Sequence, residues 1–330
     1  MRNRNRVWIA WETQRRSLNL SARVNAELVI FDDEDKGLIR YPLSAVKTLF
    51  VLWKYRGQLV FVQFPSLLLA AMACLFRPVL RYTLVVDRHT DFSLELKPPY
   101  SLKERMILSL AAFTVRNADW TVVTNAEMAA GIDTAGGRSF VLPDPYPELP
   151  VAPLHPHEGP LEILFVSTWA EDEPVLETIE ACRALKDQVK VYISGRMKKH
   201  FEKAVAAAPS NFVPTGFLSD EEYFKLMARV DAVMAVTTRP STLVCGGYEA
   251  VSIGKPLVLG NSKVLREYFH KGAMYTDGSA ADLIRVLREL PSRLPSLHEE
   301  IIGFQQQSRK DWEGRLALLN TALEKEGVLP

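Results

Sequence analysis

Two Rossmann-like domains, each a doubly wound parallel sheet, are what this 330-residue sequence predicts. Three observations carry the prediction. Short apolar, β-branched runs alternate with helical stretches from end to end, the pattern of repeated strand–helix–strand units. Seven prolines fall within the nineteen residues 142–160. Such a stretch forms neither a helix nor a central strand, so it marks a domain boundary near residue 150. The composition, 48% hydrophobic and 24% charged, is that of a globular chain. A chain of this length buries roughly 75% of the surface its unfolded form exposes, and needs no disulfide or metal staple.

In the first half the strands are expected at Val7–Trp11, Leu28–Phe31, Leu59–Gln63, Thr83–Asp87, Thr121–Thr124 and Phe140–Leu142. Helical patterns cover Ser101–Arg116 and Ala126–Ala135. In the second half the strands read as Glu162–Val166, Val189–Ile193, Phe212–Thr215, Ala232–Val236, Pro256–Leu259 and Ala273–Tyr275. Helices fit Pro174–Lys186, Asp220–Ala228, Gly247–Ile253, Ser262–Phe269 and Ala280–Leu290, with Asp220 as a cap. From Leu297 to Lys325 the pattern is helical with no strand. The domains are therefore expected at 1–150 and 151–300, followed by helices over 301–330. Ligands of open parallel sheets bind beyond the carboxyl ends of the strands, so two such domains are expected to face a cleft.

Charge and cysteine usage narrow the function. Lys+Arg total 40 against 39 Asp+Glu, a net charge of +1. That balance argues against nucleic acid as a partner. Residues 1–150 carry 19 Lys+Arg and 15 Asp+Glu, and the remainder 21 and 24. A mildly basic first half suits anionic lipid headgroups. Cys74, Cys182 and Cys245 are odd in number and far apart, with no C-x-x-C, and no H-E-x-x-H occurs. No metal site and no disulfide framework is expected, which fits a reducing, cytoplasmic compartment. His155 and His157 flank a proline in a loop and read as solvated. The apolar run Val7–Trp11 is too short for a signal-peptide core, and no stretch reaches a membrane span. Leu67–Leu80 reads either as a buried helix or as a surface helix dipping into a lipid interface.

The chemistry-bearing residues lie just after strands. Between Val233 and Leu259 a strand gives way to Arg239-Pro240-Ser241-Thr242, then Cys245-Gly246-Gly247 leads into a short helix carrying Glu249. Glycines at a helix start let backbone N–H groups approach a phosphate. A carboxylate just inside the helix can accept from the two hydroxyls of a ribose. Together they suit a nucleotide diphosphate; a plain loop-to-helix turn with a solvated glutamate accounts for them equally. Arg196, after the strand ending at Ile193, is either a phosphate ligand or a surface charge, and so are Arg15 and Arg16 after the first strand. Asp87-Arg88-His89-Thr90-Asp91 follows the fourth strand. A histidine there can donate to a sugar hydroxyl or to developing charge. Asn125 and Asp144 also follow strands.

The second half resembles the nucleotide-sugar domain of GT-B glycosyltransferases, and is most similar to glycosyltransferase family 4. Glu249-Ala250-Val251-Ser252-Ile253-Gly254-Lys255-Pro256 matches the end of that family's helix-start motif, and Phe212 to Val236 matches the stretch before it. The likeness runs from Leu161 to about Glu300. His89 falls in a segment similar to the family's D-x-H. Two departures stand out. Eight residues before Glu249, where the family has a second glutamate, is Ser241. The loop Ser167–Glu173 is acidic where the family places Arg and Lys.

The resemblance implies a metal-independent GT-B enzyme without a cofactor. It would move a sugar from a UDP- or GDP-linked donor to a glycan or lipid-linked acceptor, such as a surface polysaccharide precursor. Arg196, Arg239, Ser241, Thr242, Gly246, Gly247 and Glu249 would hold the donor. Arg15 and Arg16 would bind an acceptor or a phosphate. His89 and Asp91 would be catalytic, Asp91 as the base of an inverting enzyme. The implied location is cytoplasmic, with peripheral contact at the inner membrane face. Two other readings stand beside it: a nucleotide-sugar epimerase of the same architecture, and a non-catalytic sugar-nucleotide-binding or scaffold protein. A nicotinamide enzyme is disfavoured because no G-x-G-x-x-G follows a strand.

Overall fold

A computed structural model describes residues 5–32, 37, 39–64, 66–89, 96, 98–152 and 159–326. The chain divides into two compact units. One comprises the residues up to Pro145 together with those from Asp311 onward, and the other runs from Tyr146 to Lys310.

The first unit holds β1 (Arg6–Ala10), α1 (Arg15–Arg23), β2 (Glu27–Ile30), α2 (Arg40–Lys54), β3 (Leu59–Phe64), α3 (Leu67–Leu80), β4 (Thr83–Arg88), α4 (Leu102–Asn117), β5 (Trp120–Val123), α5 (Ala126–Thr134) and β6 (Ser139–Val141). Its six strands form one parallel sheet in the order β2-β1-β3-β4-β5-β6. The second unit holds β7 (Leu161–Phe165), α6 (Val175–Leu185), β8 (Val189–Ser194), α7 (Glu202–Ala206), β9 (Phe212–Gly216), α8 (Asp220–Arg229), β10 (Ala232–Ala235), α9 (Cys245–Ile253), β11 (Leu257–Gly260), α10 (Lys263–Tyr268) and β12 (Ala273–Thr276). Its sheet is parallel too, ordered β12-β11-β10-β7-β8-β9. All twelve expected strands are present, each within one residue of its expected bounds. In the eight inner strands, valines, isoleucines and leucines buried on both faces make the apolar runs near-continuous; the edge strands β2, β6, β9 and β12 are partly exposed.

Each sheet has a point where the strand order reverses, between β1 and β3 in the first and between β7 and β10 in the second. Loops at such a switch point diverge to opposite faces and leave a crevice for a ligand.

Three of the helices between strands have no residue range in the sequence reading: α1, α2 and the short α7. α2 has an apolar stripe at helical spacing, but turns that stripe outward. It buries Ser44, Thr48 and Leu52 and turns Leu43, Val46, Phe50 and Trp53 to solvent. α8 is capped by Ser219, not by Asp220, which is its first helical residue; Ser219 and Glu222 form a capping box. The expected tail is one 47-residue helix, α11 (Ala280–Glu326), running through Pro291 and Pro295. Each interior proline costs about 3 kcal/mol. Burial of Leu290, Leu294 and Leu297 in the second unit's core offsets that cost. From Trp312 on, the helix packs on the first unit's core with Leu319 and Leu323, beside Trp8 and Phe61. The Trp312 Nε1 donates to the Pro143 carbonyl at 2.9 Å.

Candidate functional site

In the second unit the two switch-point loops, after β7 and after β10, are tied together. Asp172 accepts from the Thr237 hydroxyl at 2.5 Å, and its carbonyl accepts from the Thr238 N–H at 2.8 Å. The Arg239 Nε lies 3.4 Å from the same carboxylate. Glu173 turns back into its own loop. Its carboxylate accepts from the Ser167 hydroxyl at 2.6 Å, the Thr168 N–H and hydroxyl at 3.0 Å, and the Ala170 N–H at 3.1 Å. Converging N–H groups of this kind form an anion-binding nest, and here the chain's own carboxylate fills it. The acidity of this loop is thus structural: two of its three carboxylates hold the loop in shape.

The same loop requires a glycine opposite. Trp169 is fully buried with a left-handed φ of 58°, and its Nε1 donates to the Ser194 carbonyl at 3.0 Å. Gly195 follows with φ +93°, and a Cβ there would meet the Ser167 carbonyl oxygen at 2.2 Å. Arg196, next along, is exposed and sits over the Phe217 ring at 5.5 Å.

α9 begins after Ser241 and Thr242, which occupy a half-buried turn, and its N-terminus has no side-chain cap. The glycine pair, expected to admit a phosphate, also has a packing cause. A Cβ on Gly246 would lie 2.9 Å from Val166, and one on Gly247 2.7 Å from the Phe269 ring. Glu249, one turn into α9, is buried and not solvated, and its Oε2 accepts from the Tyr223 hydroxyl of α8 at 2.6 Å.

In the first unit a buried ionic cluster sits at the carboxyl edge of the sheet. Arg16 donates from Nε to both oxygens of Asp87 (2.9 and 3.0 Å), and from Nη2 to Asp87 Oδ1 (2.8 Å) and the Leu142 carbonyl (2.9 Å). Its Nη1 donates to Asp144 at 2.6 Å. The reading of Arg16 as a phosphate ligand is therefore corrected. A phosphate would have to displace two carboxylates from a guanidinium that is almost wholly buried. Burial alone would raise the Asp87 carboxyl; the Arg16 guanidinium, then His89, overcome it and hold the group below the ordinary carboxylate range. Burial opposes the charge on Arg16 as well, and Asp87 and Asp144 more than restore it.

The remaining oxygen edge of Asp87 faces His89, with Nδ1 3.1 Å from Oδ2. With Nδ1–H donating to the carboxylate, Nε2 becomes the ring's acceptor. Asp87 so orients His89, which stays partly accessible, with 14% of its side chain exposed. Asp91 lies outside the described residues, as do His155 and His157. Arg15 is exposed on the first turn of α1. Asn125 caps α5, accepting from the Met128 N–H at 2.9 Å. Gln63, opposite Asp87 in the β3–β4 ladder, is fully buried, and neither amide atom has a hydrogen-bond partner among the described residues.

The switch point of the first sheet carries a pocket of about 400 Å³. Trp11 and Glu12 reach it from the end of β1, Ser66 and Leu67 from the end of β3. Arg40 and Tyr41 of α2, with Lys103 and Ile107 of α4, close its sides.

No family profile and no curated protein matches the sequence. Solved structures do. The chain is similar to HepE of Anabaena in complex with UDP and glucose: 14% identity, TM-score 0.72, over 98% of this chain and 100% of that one. HepE with UDP alone gives 16% identity and TM-score 0.73, over 97% and 99%. Sucrose-phosphate synthase of Thermosynechococcus elongatus gives 13% and 0.69, over 91% and 80%. At such identities the likeness speaks for architecture. The fold is GT-B.

Within each half of this GT-B chain, the structure groups the expected residues unevenly. Arg239, Ser241, Thr242, Gly246, Gly247 and Glu249 fall on one loop and helix start at the second sheet's switch point, whereas Arg196 belongs to the neighbouring β8 loop. Four participants were missed: Asp87, Asp172, Glu173 and Tyr223. Asp87 carried a signal, since a carboxylate ending the apolar strand Thr-Leu-Val-Val-Asp is buried and must be paired. Among the described residues, no group of three or more His, Cys, Asp or Glu is placed to hold a metal ion. No described helix is long and apolar enough to cross a membrane.

Proposed function

We propose that this chain is a glycosyltransferase, similar to glycosyltransferase family 4, that moves a sugar from a UDP- or GDP-linked donor to a glycan or lipid-linked acceptor. One observation carries the reading: the whole chain is similar in fold to HepE, whose structures hold UDP, UDP with glucose, and UDP-glucose. The second unit takes the nucleotide. Glu249, held by Tyr223, accepts from the ribose. The uncapped start of α9 at Gly246 and Gly247, with Arg239 and Arg196, meets the diphosphate, and Ser241 and Thr242 line the same loop. These fixed dipoles and charges stabilise the departing diphosphate without a metal. The first unit takes the acceptor. The C1–O bond to the diphosphate breaks, a C1–O bond to the acceptor hydroxyl forms, and that hydroxyl's proton passes to a base, through an oxocarbenium-like transition state. His89 acts on the transferred sugar, Arg15 assists a phosphate, and Asp91 is the base for an inverting displacement. A cytoplasmic location with peripheral contact at the inner face of a membrane belongs to the same reading. It is supported by three cysteines, none in a disulfide, and by the basic first half.

The test is turnover of UDP-glucose, UDP-galactose and GDP-mannose, with and without an alkyl glucoside acceptor. Nucleotide release that depends on the acceptor is the expected result. Sugar interconversion without acceptor would make the chain an epimerase. Binding without turnover of any donor would favour the scaffold reading, to which the self-filled nest at Glu173 and the absent glutamate at Ser241 lend weight.

A further inference from the structure

Soluble proteins bury the apolar stripe of a surface helix. α2 does the reverse. Its inner face is Ser44, Thr48 and Leu52, with the Thr48 hydroxyl accepting from Trp11 Nε1 at 2.9 Å. Its outer face carries Leu43, Val46, Phe50 and Trp53 at spacings of three and four, with Phe50 72% and Trp53 62% exposed. Neighbouring α3 turns out Leu75 and Val79, and α4 beyond it Leu102 and Met106. Exposed apolar stripes on three neighbouring helices of one unit mark a docking surface.

Charge says what docks. α2, α3 and α4 together carry seven Lys and Arg and one carboxylate, Glu104; two of the seven are ion-paired within the unit, Lys54 with Glu27 and Arg77 with Asp119, which leaves five against one. The Glu104 carboxylate is engaged in the capping box with Ser101. A second copy of the chain would set these cations against each other, which disfavours self-association. Anionic headgroups would neutralise them while the aromatic and aliphatic side chains enter the interface. The 400 Å³ pocket adjoins this face at α3: exposed Leu68, on the same stripe as Leu75 and Val79, lines it, with Arg40 and Lys103 beside it.

We propose that the outer face of α2, α3 and α4 docks on an anionic lipid bilayer. α3, expected to be either buried or interfacial, takes part through its exposed stripe, but α2 supplies the anchor. This gives a site to the membrane contact in the proposed function, and so rests on that part of the reading. It does not depend on the donor.

The experiment is flotation of the full chain with phosphatidylglycerol vesicles and with phosphatidylcholine vesicles, without nucleotide, for wild type and for Phe50→Glu/Trp53→Glu. Both positions are exposed, and an unchanged melting temperature checks that the variant folds. Wild type is expected to partition at least tenfold better onto the anionic vesicles, less so in 0.5 M salt, and the variant to lose at least tenfold. Failure of wild type to float with phosphatidylglycerol, or equal retention of the variant, overturns the proposal. So does a wild-type dimer in sedimentation velocity that the variant turns into monomer, since the face would then join two copies. Because the assay contains no nucleotide, its failure leaves the donor reading untouched, and the converse holds.

Discussion

Asp87→Ala is expected to lower the stability of the first unit by about 3–5 kcal/mol, the cost of removing one partner from a buried ion pair. Asp87 is fully buried and takes three hydrogen bonds from Arg16. Without it Arg16 keeps Asp144 and the Leu142 carbonyl, but its Nε faces protein with no counter-charge. Whole domains are stable by about 5–15 kcal/mol, so the loss is a large share of the total. Urea unfolding followed by tryptophan fluorescence reads this unit well, because Trp8, Trp11, Trp53, Trp120 and Trp312 belong to it and Trp169 alone lies in the other. Arg16→Met/Asp87→Leu should be less destabilised than the single variant, since no fully buried charge is left without its partner; Asp144, which also loses Arg16, is partly exposed. A cost under about 1 kcal/mol for Asp87→Ala would contradict the assignment.

The same pair fixes a pH dependence. The Asp87 carboxyl is held below its ordinary 3.8 in the folded chain. Its contribution is therefore complete above that value and is lost as pH falls through the lower, folded one. Asp87→Asn should trail wild type by a constant margin from pH 5 upward, and the margin should close below about pH 3.8.

The second large effect is on chemistry. His89→Ala should reduce turnover by about 10²–10⁴-fold, the usual contribution of a positioned acid–base group. Nucleotide binding, assigned to the other unit, should be unchanged. Donor turnover and UDP-induced thermal shift, measured on the same variant, separate the two. A variant with normal turnover would remove His89 from the reaction, and one that also lost UDP binding would move it to the donor site.

The sequence displayed the central strands well because they are apolar runs buried on both faces, from Val7–Ala10 to Leu257–Leu259, while the edge strands β2, β6, β9 and β12 are only partly buried. Features whose logic is tertiary stayed hidden. The apolar stripe of α2 keeps helical spacing, and periodicity alone cannot say that it faces outward. Pro291 and Pro295 read as breakers until the burial of Leu290, Leu294 and Leu297 is known. At the site, residue types were visible and partners were not. Arg16 meets Asp87 across 71 positions, and Tyr223 meets Glu249 across 26. Gly246-Gly247 shows how two causes share one signature: a pair that would admit a phosphate is also the pair that Val166 and Phe269 leave room for. Ser167–Glu173 shows the opposite, an acidic loop that repels anions on paper and folds its own carboxylate into their place.

The most direct measurement is a thermal-shift panel with UDP, GDP, ADP and CMP, each with EDTA, on wild type and Glu249→Ala. A ligand at about 100 times its dissociation constant adds about 2.7 kcal/mol. That raises the melting temperature by several degrees for a unit of this size. One nucleoside diphosphate should give that shift, and Glu249→Ala should abolish it while melting cooperatively on its own. No shift with any of the four, or an equal shift in the variant, would contradict the assignment of the nucleotide to α9.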